Sequence, residues 1–70
     1  MDDGTRVWRM RKLHRHIDAR LRRSGAGIEL ELTNGERVIY RRTWPSRGEA
    51  EEDAAARRDD LARVGWTEHW

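Results

Sequence analysis

Residues 17–32 can pair with themselves in one register only. Two alternating runs, Ile17-Asp18-Ala19-Arg20-Leu21-Arg22 and Ile28-Glu29-Leu30-Glu31-Leu32, flank the turn-rich break Ser24-Gly25-Ala26-Gly27. Alternation of this kind is the period-two signature of strands with one buried face. If Arg23 lies opposite Ile28, Leu21 meets Leu30 and Ala19 meets Leu32 on one face, while Arg22 meets Glu29 and Arg20 meets Glu31 on the other. Each cross-strand charge pair contributes only about 0.2–1 kcal/mol. A slip of one residue, however, would put the leucines in water and the charges in the core, so the register is strongly specified.

A second hairpin is signalled by Thr33-Asn34-Gly35-Glu36, because Asn and Gly accept the positive φ that tight turns require. A two-residue turn would set Leu30 against Ile39 and direct Val38 and Tyr40 away from the core. A three-residue turn with Gly35 as a left-handed bulge pairs Leu32 with Glu36, Leu30 with Val38, Ile28 with Tyr40 and Glu31 with Arg37. The second keeps Val38 and Tyr40 on the apolar face and is the expected arrangement. After Trp44-Pro45, Ser46 and Glu49 have capping-box spacing, and the acidic residues Glu49, Glu51, Glu52 and Asp53 suit the positive end of a helix dipole. Ala50, Ala54, Leu61 and Val64 form one stripe, with the Arg57 stem lying along it. Gly65 is the expected left-handed cap, with Trp66 folding back on Leu61.

The N-terminal part admits two readings. Val7, Met10, Leu13, Ile17 and Leu21 match an amphipathic helix closed by Ser24-Gly25. A helix there would leave Glu29 and Glu31 without their arginines and a bare two-stranded ribbon as the only sheet, an arrangement of marginal stability. The expected fold class is therefore α+β: a three-stranded antiparallel β-meander, about residues 14–23, 28–33 and 36–43, with one C-terminal helix, about 47–64, on the apolar face. The alternative is an N-terminal helix, a β-hairpin and a C-terminal helix. Trp8 and Met10 also alternate, which points to a strand beginning near Val7 and bent or broken around Lys12 to His16.

Seventy residues suffice for a single small domain, spanning 1–70 with short loose termini, near the size at which one core is marginal. The chain has no cysteine to form a disulfide, so its four tryptophans matter; Trp8, Trp44 and Trp66 are expected to carry much of the buried area. Absent cysteine, and with no apolar run long enough for a signal peptide or membrane span, the expected compartment is the cytoplasm and no membrane partner is expected.

The formal charge is +2, but it is unevenly placed. Arg6, Arg9, Arg11, Lys12, Arg15, Arg20, Arg22 and Arg23 face Asp18 alone within residues 6–23, whereas residues 46–70 are net acidic. Arginine favours bidentate recognition of phosphate and carboxylate. If Glu31 and Glu29 neutralise Arg20 and Arg22, the candidate nucleic-acid or partner-binding residues are Arg6, Trp8, Arg9, Arg11, Lys12 and Arg15, with the terminal Trp70 as a possible anchor. His14, His16 and Asp18 alternate on one strand but, apart from His69 near the C-terminus, lack the further ligands of a metal site. The serines sit at a turn and a helix cap without a candidate base, and no Gly-rich loop joins a strand to a helix. No catalytic residue, metal or cofactor is expected.

Trp8-Arg9-Met10-Arg11-Lys12, Gly27-Ile28-Glu29-Leu30, Asn34-Gly35-Glu36, Tyr40-Arg41-Arg42-Thr43-Trp44 and the Ala-rich helix ending in Gly65-Trp66 together resemble a group of short uncharacterised bacterial proteins. The strand meander, helix and glycine-aromatic ending are more loosely similar to the WGR domain and other small nucleic-acid-binding modules, although the Trp-Gly-Arg signature is absent. The resemblance implies architecture and no activity. The expected function is a small non-enzymatic binding or accessory module. Protein–protein contact or self-association as a homo-oligomer leads, and nucleic-acid binding through the basic N-terminal face is the alternative.

Overall fold

A computed structural model describes residues 4–68. The alternating runs become strands β1 (Thr5–Lys12), β2 (Arg15–Ser24), β3 (Gly27–Asn34) and β4 (Arg37–Trp44), followed by helix α1 (Arg47–Arg63) and a two-residue strand β5 (Thr67–Glu68). They form one antiparallel sheet in the order β4-β3-β2-β1-β5. The helix crosses one face of the meander and delivers β5 to the free edge of β1.

The β2–β3 register is the one that both faces demand: Leu21 lies opposite Leu30, Ala19 opposite Leu32, Arg22 opposite Glu29 and Arg20 opposite Glu31. Trp8, Met10, Ile17, Ala19, Leu21, Leu30 and Leu32 are buried with Ala50 and Ala54 of the helix. The two alanines present no bulk, so the helix backbone sits close to the sheet.

Three expectations are corrected. The meander has four strands rather than three: residues 5–24 form no helix, and the strand expected to begin near Val7 and to be bent or broken around Lys12 to His16 is broken there. The two parts form a hairpin, β1 and β2, joined by Leu13 and His14. Leu13 takes φ 59, a left-handed conformation that normally selects Gly, Asn or Asp, and so no turn chemistry marks this loop.

The β3–β4 register matches neither arrangement expected for the second turn. Asn34 pairs with Arg37 around Gly35-Glu36, with Gly35 at φ 65. An irregularity beside Leu32 and Thr33 then shifts the phase, so that Leu32 meets Tyr40, Glu31 meets Arg41, Leu30 meets Arg42 and Ile28 meets Trp44. Tyr40 and Trp44 thereby reach the helix, while Val38 is left 44% exposed instead of joining the core.

The helix begins as expected. The Ser46 hydroxyl accepts from the Glu49 backbone N–H at 3.3 Å and donates to Glu49 Oε1 at 3.1 Å. It ends with Gly65 at φ 99 and the Trp66 N–H donating to the Leu61 carbonyl at 3.1 Å, which turns Trp66 back so that it and Leu61 pack, half-buried, against the core. The third correction is Val64: it follows the last helical residue and lies in solvent at 59% exposure, not on the buried stripe.

Polar bonds fasten the helix to both sides of the sheet. From β1, the Trp8 indole donates to the Ala54 carbonyl at 2.8 Å and the Lys12 ammonium to the Val64 carbonyl at 2.7 Å, the negative end of the helix dipole. From β4, the Tyr40 hydroxyl and the Trp44 indole donate to one oxygen of Asp53 at 2.7 and 3.0 Å.

Two substitutions test this geometry. Leu30→Ala should cost about 2–5 kcal/mol and Val38→Ala no more than about 0.5 kcal/mol by chemical denaturation, since only the former empties a core site. Comparable losses would restore the rejected Leu30–Val38 pairing. Leu13, 78% exposed, gives up little packing on replacement. Leu13→Asn should therefore stabilise by about 1 kcal/mol through relief of left-handed strain, and a destabilised variant would show that Leu13 is not in that conformation.

Candidate binding face

Among the described residues, no helix lies over the other face of the sheet. Because directly opposed residues share a face, the pairings place Arg6, Arg20, Glu31 and Arg41 in one transverse row. A second row holds Arg9, Asp18 and Thr33, a third Arg22, Glu29 and Thr43, and a fourth Arg11 and His16. Among the described residues of these four strands, six arginines thus share this open face with three carboxylates.

The two signs sit at different depths. The side chains of Asp18, Glu29 and Glu31 are only 14%, 20% and 11% exposed, against 33%, 40% and 55% for their partners Arg9, Arg22 and Arg41. Short carboxylates stay near the sheet, and the longer guanidinium arms fold over them and remain in water.

Arg9 holds Asp18 side-on, Nε to Oδ1 at 2.6 Å and Nη2 to Oδ2 at 3.0 Å, which leaves the Nη1 edge for a second anion. Arg41 binds Glu31 Oε2 at 2.6 Å and lies 3.7 Å from Glu29. Arg22 approaches Glu31 at 3.4 Å and Glu29 at 3.7 Å; its buried Nε lies within ion-pair distance of Glu29 but has no hydrogen-bond partner. Arg20 stands opposite Glu31 yet does not bind it, so Arg41 replaces it as the neutralising partner.

The Arg9 hydrogen bonds hold the Asp18 carboxyl below the usual carboxylate value against the opposing effect of burial, helped by the field of Arg9, Arg6 and Arg20. The Glu31 hydrogen bond, then the charges of Glu29 and Glu31, raise the affinity of Arg41 for its proton.

The residues picked from the sequence therefore divide. Arg6, Arg9 and Arg11 share the open face. Trp8 points to the opposite side and is 3% exposed, so it is a core residue and not a surface stacking platform. Lys12 is bonded to the helix end, and Arg15, its direct partner, shares that side rather than the open face. Trp70 and His69 lie outside the described residues. Arg20 and Arg22 were expected to be neutralised and Arg37, not Arg41, to pair with Glu31; placing Arg41 required the β3–β4 register.

Two other features gather polar groups. Asp53 accepts from Tyr40, Trp44 and Arg57, and Arg57 also stacks on the Tyr40 ring at 4.7 Å. Burial alone would raise the Asp53 carboxyl, but the hydrogen bonds from Tyr40, Trp44 and Arg57, with the Arg57 charge, bring it below the usual value. The same burial, with Asp53 alongside, raises the Tyr40 hydroxyl. The cluster is a clasp between β4 and α1. A cleft of about 570 Å³ opens at one end of the sheet beside Leu21, Arg23, Ile28, Ser46 and Arg47.

Among the described residues, no three His, Cys, Asp or Glu side chains gather as a metal site, and no helix is long and apolar enough to cross a membrane. No family model, curated protein or solved structure matches the chain, so the likeness to WGR-type modules rests on the residues quoted above alone.

The Asp53 clasp has a pH signature. A carboxyl whose folded pKa lies below its unfolded value of 3.8 contributes stability that is complete above that value and is lost as pH falls through the folded pKa. Asp53→Asn should be less stable than the parent near neutrality, with the gap narrowing below about pH 4 in thermal melts. A gap independent of pH would mean that the carboxylate charge contributes nothing.

Proposed function

We propose that this chain is a non-enzymatic binding module that captures an anionic macromolecule on the open face of its sheet. The observation that carries this reading is the layering of charge: guanidinium groups outermost, carboxylates recessed beneath them. An approaching anion meets positive charge first, and arginines already oriented by a carboxylate lose less side-chain freedom on binding. The chain as a whole carries only +2, so the excess on this face is balanced elsewhere, which favours oriented approach over general stickiness.

A second reading, contact between copies of the chain, is supported by the outer edge of β4. Among the described residues that eight-residue strand has no neighbour beyond it, and Val38 and Ile39 are 44% and 46% exposed there. The bulge beside Ile39 works against continuous edge pairing.

Retention on a heparin matrix tests the first reading. Arg11→Glu combined with Arg20→Glu should elute at clearly lower salt than the parent, whereas Arg58→Glu combined with Arg63→Glu on the helix should shift elution far less despite the same change in net charge. Equal shifts from the two pairs would assign retention to net charge alone and remove the open face from consideration. Sedimentation of the parent and Ile39→Lys reports on the second reading: a parent dimer that the substitution dissociates supports it, and a monomeric parent at high concentration dismisses it.

A further inference from the structure

The open face is not uniform, and its two halves suit different roles. In the β3 half, Arg22 and Arg41 are matched by Glu29 and Glu31 and form a closed ion-pair network. In the β1–β2 half, Arg9, Arg11 and Arg20 share the face with Asp18 as the one carboxylate among the described residues of these two strands. Residues on one face of a strand repeat about every 6–7 Å, so Arg9 and Arg11 stand one such repeat apart on β1, with Arg20 on the same face of the neighbouring strand.

Resting on the binding reading above, we propose that the strip formed by Arg9, Arg11 and Arg20 binds the phosphate backbone of double-stranded nucleic acid without regard to sequence. Three features favour this partner over an acidic protein or a single strand. First, a protein interface is organised around a dry apolar or aromatic centre, and none of the strip's side chains can supply one. Backbone contact with a duplex needs no such centre and is far more positively charged. Second, single-strand binding draws on aromatic platforms for the bases. Here Trp8 is buried, while Tyr40 and Trp44 bond to Asp53 on the helix side. Among the described residues, the strip offers contacts to phosphates and no aromatic platform for bases. Third, Arg9 keeps Asp18 through its Nε and Nη2 atoms while its Nη1 edge remains available, so phosphate contact does not require breaking the ion pair.

Fluorescence anisotropy with labelled 20-base-pair duplexes of unrelated sequence, a single strand of the same length, and polyglutamate as competitor tests the proposal. The expected result is micromolar binding at low salt, equal across duplexes, weaker for the single strand, and falling with a linear dependence of log K on log salt. Arg11→Gln and Arg20→Gln should each lower that slope by about 0.9 and weaken binding several-fold, while Arg63→Gln on the helix leaves the slope unchanged. Circular dichroism of each variant should match the parent, which separates lost contacts from lost fold. Preference for the single strand, or for polyglutamate, would overturn the duplex assignment while leaving an anion-binding face. Failure to bind duplex, single strand, polyglutamate and heparin alike would overturn both readings, as would equal slopes for the strip and helix variants.

Discussion

The pairing of β2 with β3 decides the rest of the molecule, because one register assigns every side chain of the central strands to one of two opposite environments. Leu21 and Leu30 face the helix, while Arg22 and Glu29 face water. The cross-strand attraction is small, but the penalty for any neighbouring register includes every leucine exposed and every charge buried. With that pair fixed, β1 and β4 can add only in phases that continue the apolar layer, and the irregularities at Val7 and Ile39 are where they adjust.

The apolar layer is small, and polar fastenings at its margins complete it. The core has no phenylalanine, and its largest member, Trp8, brings roughly 150–250 Å² of burial together with an indole N–H that must be satisfied. Ala54 supplies both the space and the carbonyl for it. On the other side, Asp53 draws in Tyr40 and Trp44, which is why β4 presents those residues to the helix and leaves Val38 outside. A buried carboxylate without these donors would be costly, so the β4 phase and the Asp53 charge depend on one another.

Legibility in the sequence followed the strength of local chemistry. The β2–β3 register could be read because two faces gave the same answer, and the helix boundaries because Ser46 and Gly65 are themselves the capping groups. The β1–β2 hairpin was hidden because Leu13 and His14 are not turn residues, although Trp8 and Met10 showed its alternation. The β3–β4 register was hidden because a bulge changes the phase within the strand, which periodicity alone does not reveal. Arg6, Arg9 and Arg11 were identifiable as a basic group; that Trp8 and Lys12 belong to the helix side, and that Arg41 rather than Arg20 holds Glu31, depends on strand pairings and side-chain reach.

The layered charge of the open face is the central claim, and side-chain nitrogen NMR during titration with duplex DNA addresses it most directly. The account predicts that the Nε–H signal of Arg20 shifts progressively with added duplex and that of Arg41 stays close to its starting position, because the Arg41 Nε–H is bonded to Glu31. Shifts confined to Arg57, Arg58 and Arg63 on the helix, or equal shifts throughout the open face with loss of the Arg41–Glu31 contact, would contradict it.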